Sequence, residues 1–530
     1  MFRKKITALR LSLCAFLFCM PALVFAEKYC LKDIKFNSLG KTKPAYLIQN
    51  IPPLQKDHEF ETKEELETYL AEVKQNLENT RLLVNISYTY ETSAQEDETA
   101  KIIAEYTFED STSLLIFPKP GLDSNKGAEL ELALKDNNFL GLASPLKAGI
   151  TFEFGDKEEP TKYSRFTPGF NINYNYPFYI GKTKNHWDTL LDFRWCTEKD
   201  FPNVIYTTGV TVGVPFGKDG KHEVDFTARQ SIMRDTDYLK FHDEFYFIEY
   251  GEIAVPLNIG SIGLSTPVYY KPLVSIEKKW DKDGINEDNC DLYQTPVLKP
   301  GQELYFSHID WAENNNFRTG YSFKTGTYLG FDLHEDETDK RLIPSAEAYI
   351  KLFKSFENAG ANLNLTVLCG HNTRYAIGTY LRGAPDECHF AKGINVDANN
   401  YALTTNSAIV LNLEFPVHIL TTDWVSFFGA AGEKHKGFFN AMNFEMQLGP
   451  FTDIALLDNW GTKNTFDYKE GIYTAGIECL IYPKKWKSYV LRASYGFDLS
   501  KKLLDGKHGF DSSWRDGKET ECYIGLTLQF

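Results

Sequence analysis

Residues 443–457 read NFEMQLGPFTDIALL. Phe444, Met446 and Leu448 share one parity, while Asn443, Glu445, Gln447, Phe451 and Asp453 share the other. Successive side chains of an extended chain point to opposite faces, so the stretch predicts a strand with one apolar and one largely polar side. The segment before it, SAIVLNLEFPV (407–417), repeats the pattern, with Ile409, Leu411, Leu413 and Phe415 on the apolar side and Asn412 and Glu414 on the polar one. Alternation therefore puts two carboxylates, Glu414 and Asp453, on the same face of neighbouring strands.

The same period runs through most of the chain. In GAELELALKD (127–136), Leu130, Leu132 and Leu134 oppose Glu129, Glu131 and Lys135. In FNINYNYPF (170–178), Phe170, Ile172, Tyr174 and Tyr176 alternate with three asparagines. In SYVLRASYGFDL (488–499), Tyr489, Leu491, Ala493, Tyr495 and Phe497 alternate with Val490, Arg492, Ser494 and Asp498. The terminal ECYIGLTLQF (521–530) sets Ile524, Leu526, Leu528 and Phe530 against Tyr523, Gly525, Thr527 and Gln529. Alternating segments of about ten residues, polar inside and apolar outside, predict an all-β antiparallel transmembrane β-barrel over 111–530, with about sixteen strands. Closure of the sheet would pair every backbone group. Long outer loops and short inner turns such as PFGKDGKHEV (215–224) fit that form. A soluble sandwich would also alternate. The leader, the frequent Tyr and Phe at strand ends and the terminal Phe530 favour the barrel.

Composition agrees. The 530-residue chain carries a net charge of −15, with 15% aromatic and 24% charged residues. The acidic balance argues against a nucleic-acid partner, which needs a basic face. Nothing after the leader approaches the roughly 20 apolar residues of a spanning helix. The first 26 residues, MFRKKITALRLSLCAFLFCMPALVFA, have a basic start, an apolar run and small residues before Glu27, which predicts a secretory signal cleaved after Ala26. Two of the nine cysteines leave with it. The rest have no metal-binding spacing, and a Cys290–Cys388 disulfide between loops stays open.

Residues 27–110 predict a small α+β domain. KYCLKDIKFNSL (28–39) reads as a strand and KPAYLIQNI (43–51) as a weak helix. TKEELETYLAEVKQNLENTRLL (62–83) is a strong helix, with Thr62 and Glu65 as a capping box and Leu66, Tyr69, Leu70, Val73 and Leu77 on one face. Two alternating strands follow, VNISYTYET and AKIIAEYTFED. The order and size resemble a POTRA domain, the periplasmic unit that precedes certain outer-membrane barrels. The free strand edge that this implies can add an extended chain.

Between two lipid-facing strands stands GTYLRGA (378–384). It follows a strand whose Leu363, Leu365 and Val367 share the lipid parity, and it precedes the long loop PDECHFAKGINVDANNY. If that loop folds inward, Arg382 meets Glu414 and Asp453, because a guanidinium bonds carboxylates through a planar fork. Gly383 permits the tight backbone. This constellation resembles the BamA/TamA superfamily of outer-membrane assembly and transport barrels. The family's loop motif, V/L-R-G-F/Y, is met by Leu381-Arg382-Gly383-Ala384. Its strand motif, F-x-D-x-G, is met by Phe451-Thr452-Asp453-Ile454-Ala455. Its glutamate-bearing strand is met by Leu413-Glu414-Phe415-Pro416. LLIFPKPGLDSNKGAELELALKDNNFLG (114–141) is similar to the family's first strand and its exit at Asn138 and Gly141. Ala384 stands where the family has an aromatic and Ala455 where it has glycine, and a single POTRA-like unit fits before the barrel.

The resemblance implies outer-membrane protein insertion, or polypeptide translocation, without cofactor, metal or nucleotide. The partners would be unfolded outer-membrane or secreted polypeptides, outer-membrane lipid and accessory periplasmic proteins. The N-terminal domain would lie in the periplasm. It also implies a lateral seam between a first strand near 127–135, carrying Leu130, Leu132 and Leu134, and the last strand, carrying Ile524, Gly525, Leu526 and Leu528. Phe530 would be the C-terminal barrel signal. No nucleophile elbow, zinc or phosphate motif suggests an enzyme. A passive pore, or a surface protein that binds a ligand through loops near 281–301 and 385–400, is the alternative.

Overall fold

The computed structural model describes residues 28–96, 99–123, 127–154, 166–195, 202–217, 222–234, 245–263, 266–281, 296–312, 315–333, 341–373, 375–377, 380–383, 404–458, 466–499, 520–525 and 528. The leader, Cys290, Cys388, Ala384, Leu526 and Phe530 lie outside them.

The N-terminal elements are β1 (Lys28–Ser38), α1 (Pro44–Leu47) with a 3-10 turn (Ile48–Asn50), β2 (His58–Phe60), α2 (Lys63–Asn79), β3 (Leu83–Glu96) and β4 (Thr99–Asp110). They form a four-stranded sheet in the order β2-β1-β4-β3. The short edge strand β2 is an addition to the predicted order, and it pairs antiparallel with β1 through Tyr29 and Phe60. Only three residues long, it shows too little alternation to be seen in sequence.

The start of α2 follows from its first residues. Thr62 Oγ1 accepts the N–H of Glu65 (3.2 Å), while the Glu65 carboxylate accepts the N–H of Glu61 (3.0 Å). Each satisfies an amide that helix geometry leaves unpaired. Leu66, Tyr69, Leu70, Val73 and Leu77 are all buried, as the 3.6-residue period requires. Tyr106 is fully buried and donates its hydroxyl to the carbonyl of Leu70 (2.8 Å), and burial holds its phenol well above the usual range. Replacing Thr62 by alanine is expected to cost about 1 kcal/mol of local stability. Amide exchange in the first turn of α2, measured in the whole chain, should quicken, and unchanged protection there would refute the capping role.

By compactness the chain divides into one unit of residues 1–37, 54–74 and 87–107, and a second of residues 38–53, 75–86 and 108–530. Two N-terminal segments thus belong to the unit that carries the barrel. Inside that unit, the Arg81 guanidinium lies 4.2 Å from the centre of the Trp311 ring and donates to Asn316 Oδ1 (2.9 Å) and to the Lys487 carbonyl. Burial pushes Arg81 down to about 10.

The barrel strands are β5 (Leu114–Asp123), β6 (Gly127–Asp136), β7 (Leu146–Phe154), β8 (Phe166–Ile180), β9 (Thr183–Arg194), β10 (Asn203–Phe216), β11 (His222–Arg234), β12 (Tyr246–Ala254), β13 (Leu257–Ile262), β14 (Thr266–Asp281), β15 (Val297–Trp311), β16 (Arg318–Asp332), β17 (Leu342–Ser355) and β18 (Gly360–Gly370). After the small pair β19 (Tyr375–Ala376) and β20 (Thr404–Thr405) come β21 (Ser407–Glu414), β22 (Val417–Thr421), β23 (Phe444–Leu457), β24 (Ile472–Pro483), β25 (Leu491–Asp498) and β26 (Thr520–Gly525). Three short helices, α3 (Trp424–Phe428), α4 (Ala430–Lys434) and α5 (Lys436–Ala441), join β22 to β23.

The barrel is closed. β12 and β13 both pair with β14, and β21 and β22 both pair with β23, so each couple is one strand with a break. The described residues therefore build eighteen antiparallel strands, which corrects the expected sixteen. β5 accounts for part of the difference. Its Pro118 and Pro120 make LLIFPKPGLD read as a lead-in, yet it pairs with β6 over ten consecutive positions. The loop expected near 281–301 is likewise shorter, since β15 begins at Val297.

Parity holds around the wall. Large apolar residues such as Leu130, Leu132, Ile150, Phe170 and Trp187 are exposed on the outside, while the inward positions of β23 are buried from Glu445 through Leu457. An outer belt of this kind suits contact with hydrocarbon. At the end where β5 begins, called the near end below, β6 runs into a tight turn. Asn138 is fully buried, donates to Thr42 Oγ1 (2.6 Å) and accepts the N–H of Ala143 (3.0 Å). Gly141 has φ +72, and a side chain there would collide with the Lys41 carbonyl.

Candidate functional site

The loop that leaves β18 at the far end of the barrel returns into the interior. Ile377 and Leu381 are buried with Leu368, Ala408, Val410, Ala455, Leu457 and Ile472, inward-facing residues of β18, β21, β23 and β24, and Tyr349, Tyr375 and Tyr380 pack against the group. Ala455, the departure from the glycine of the motif, belongs to this apolar floor. Apolar burial brings the loop in, and charge then fixes its register.

Arg382 is 2% exposed and Asp453 0%. Arg382 donates Nε (3.0 Å) and Nη2 (2.7 Å) to the two oxygens of Asp453, and its main-chain N–H adds a third bond to the same carboxylate (2.8 Å). Nη1 donates to Glu414 (2.6 Å) and to Glu478 (3.5 Å). The face of the guanidinium lies 4.1 Å from the centre of the Phe451 ring, so the cation is bonded at its edge and stacked on its plane. Asn362 donates to the second oxygen of Glu414 (2.9 Å), and Arg318 lies 3.9 Å from the same carboxylate. Across the site Arg492 forms an ion pair with Glu478 (3.6 Å) and stacks over Tyr523 (4.2 Å).

Gly383 has φ +77, a conformation that L side chains rarely adopt. A Cβ at this position would lie 2.8 Å from the backbone of Gly496 and Phe497, and one on Gly496 would lie 2.5 Å from the Gly383 Cα. Two glycines thus let the loop backbone touch the barrel wall. The approach brings the Gly383 N–H to Glu521 on the last strand (2.6 Å).

All four residues of the expected clasp, Arg382, Gly383, Glu414 and Asp453, come together. Sequence reasoning missed Glu478, Glu521, Phe451 as a stacking partner and Gly496. Parity did hold a signal for Glu478 and Gly496, since both fall on the inward side of β24 and β25. Aromatic packing, absent at position 384, comes instead from Tyr380 and Phe451.

The strand that pairs with the last one is not the expected stretch near 127–135. The last strand meets β5, through Tyr523↔Asp123 and Ile524↔Leu122, the two pairs formed among the described residues. Leu130, Leu132 and Leu134 are on β6, held between β5 and β7. Leu528 does not continue the outer face, because it packs against Leu480, Tyr482 and Val490, two of which are inward residues of β24. At Gly525, the last described residue of β26, a Cβ would clash with the Tyr523 ring.

No known family and no curated protein is matched by the sequence. Among solved structures, CdiB from Acinetobacter baumannii aligns over 94% of this chain and 74% of its own, at 11% identity and a TM-score of 0.47. CdiB from Escherichia coli aligns over 94% and 76%, at 9% identity and 0.45. BamA from Haemophilus ducreyi lacking POTRA domains 1-3 aligns over 94% and 84%, at 13% identity and 0.37. Likeness at this level assigns neither family nor activity.

Proposed function

We propose that this chain is an outer-membrane barrel that inserts or translocates polypeptide, with a POTRA-type N-terminal domain that receives the client. The observation that carries the reading is the link between latch and seam. Gly383, beside the buried Arg382, bonds Glu521 on the strand that closes the barrel, and that strand meets β5 over two residue pairs among those described. β5 contributes a weakness of its own. Residues two apart direct their N–H groups toward the same neighbour, so Pro118 and Pro120 remove two donors from one edge of the strand. The ladder to β6 is continuous over ten positions, so the other edge of β5, where it meets β26, is the place for the wall to part. Parted edges would offer unpaired backbone to an incoming strand, which adds by main-chain hydrogen bonding. The latch would hold the far end of the seam while the near end yields.

A disulfide across the seam tests this reading. The substitutions Asp123→Cys and Tyr523→Cys, in a Cys522→Ser background, join residues that face each other in register. Locking is expected to abolish activity in cells and to prevent a photo-crosslinker at position 524 from capturing client chains, with reduction restoring both. A locked barrel that keeps outer-membrane protein levels and secretion intact would sink the proposal in favour of a passive pore.

A further inference from the structure

The near end of the barrel carries a feature that neither seam nor latch uses. Between β22 and β23 the chain forms α3, α4 and α5, with Phe427 75% exposed and Phe438 63% exposed. Short helices that leave large rings in water are costly unless another surface covers them. Their arrangement is built. Asp423 accepts the Ser426 N–H (3.2 Å) and hydroxyl (2.7 Å) at the start of α3, Asn443 accepts the Trp424 N–H (2.9 Å), and the Trp424 indole donates to the Met442 carbonyl (3.2 Å).

Two observations identify what covers the rings. The first is continuity with the outer belt. Trp424 touches Phe444, the first outward residue of β23 (ring centres 6.4 Å apart), and the residues just before the helices, Val417, Ile419 and Leu420, are exposed on the outer wall. The second is charge. In a chain of net charge −15, the helices and the adjoining 484–487 turn expose Lys434, Lys436, Lys484, Lys485 and Lys487 against Asp423 and Glu433. Lys484 and Lys485, with Asn440 and Asn443, line a cavity of about 450 Å³ beside α5. An apolar ring cluster bordered by lysines at the edge of a hydrocarbon belt has the chemistry of an element that lies in a bilayer interface.

We propose that α3–α5 form an interfacial foot, with Phe427 and Phe438 at the acyl-chain boundary of the near leaflet and Lys484 and Lys485 on the phosphates of anionic phospholipids. The inference rests on the barrel spanning a bilayer, and the test separates the two. The full chain is reconstituted in phosphatidylcholine–phosphatidylglycerol vesicles whose acyl chains carry bromine near the headgroup. The variants Phe427→Trp and Phe438→Trp each add one indole at an exposed position. Trp187, outward on β9, serves as the belt reference through the difference that Trp187→Phe makes. The added indoles are expected to be quenched by bromine as strongly as Trp187 and shielded from acrylamide, with quenching reduced by Lys484→Glu with Lys485→Glu. Quenching of Trp187 without quenching of the added indoles would overturn the foot and leave the bilayer reading standing. If neither is quenched, both fall.

Discussion

Replacing Arg382 by alanine is expected to lower the unfolding temperature of the barrel sharply and to release the loop from the interior. Three carboxylates converge on this guanidinium, and Asp453 has no exposure to water. Removing one partner of a buried ion pair leaves an uncompensated charge, which costs about 3–5 kcal/mol. Lysine should rescue little, because a single ammonium cannot span the forked geometry on Asp453 while reaching Glu414. Adding Asp453→Asn to Arg382→Ala should recover part of the loss by removing one orphaned charge. The readout is the temperature at which the folded band on an unheated gel converts to the unfolded one. An unchanged midpoint for Arg382→Ala would show that the cluster contributes nothing to stability.

The second large effect is expected at Gly383. Valine there meets the Gly496 backbone and must also hold φ near +77, a region that costs a β-branched residue about 1–3 kcal/mol before any clash. The ring of contacts has no slack, because Gly496 lies equally close on the opposite side. Gly383→Val should therefore expel the loop without touching a single charge. Single-channel conductance in planar bilayers should rise, and Gly496→Val should reproduce the change. Wild-type conductance in both variants would mean that the close approach of loop and wall is not what keeps the interior filled.

Much of this site was legible because strand parity is rigid. A period of two, anchored by Phe444, Met446 and Leu448 on one side, leaves Glu445, Asp453 and Glu414 nowhere to go but inward. The loop motif then had one destination. What parity could not give was the order of the wall. The prolines of LLIFPKPGLD hide a strand from any reading based on propensity, although one edge of a strand tolerates missing donors. The helices between β22 and β23 were also unread, since WVSFFGAAGEKHKGFFNA breaks into three short turns with no sustained 3.6-residue stripe. Leu528 escaped for a different reason. It keeps the outward parity in the sequence, yet it packs against the inward residues Leu480 and Tyr482, a contact that periodicity does not encode.

Pro118 and Pro120 also bear on the chain before its barrel exists. A barrel has no edges once closed, but until then its first strand is an open edge, able to pair with any extended neighbour in a crowded compartment. An edge lacking two of its donors is a poor template for such pairing, and proline is among the residues that interrupt aggregation-prone strands. The strand is apolar at Leu114, Leu115, Ile116 and Phe117, the composition most in need of such protection. The feature that strips two donors from one edge of the finished strand would thus also guard the unfinished chain against misassembly with its own copies.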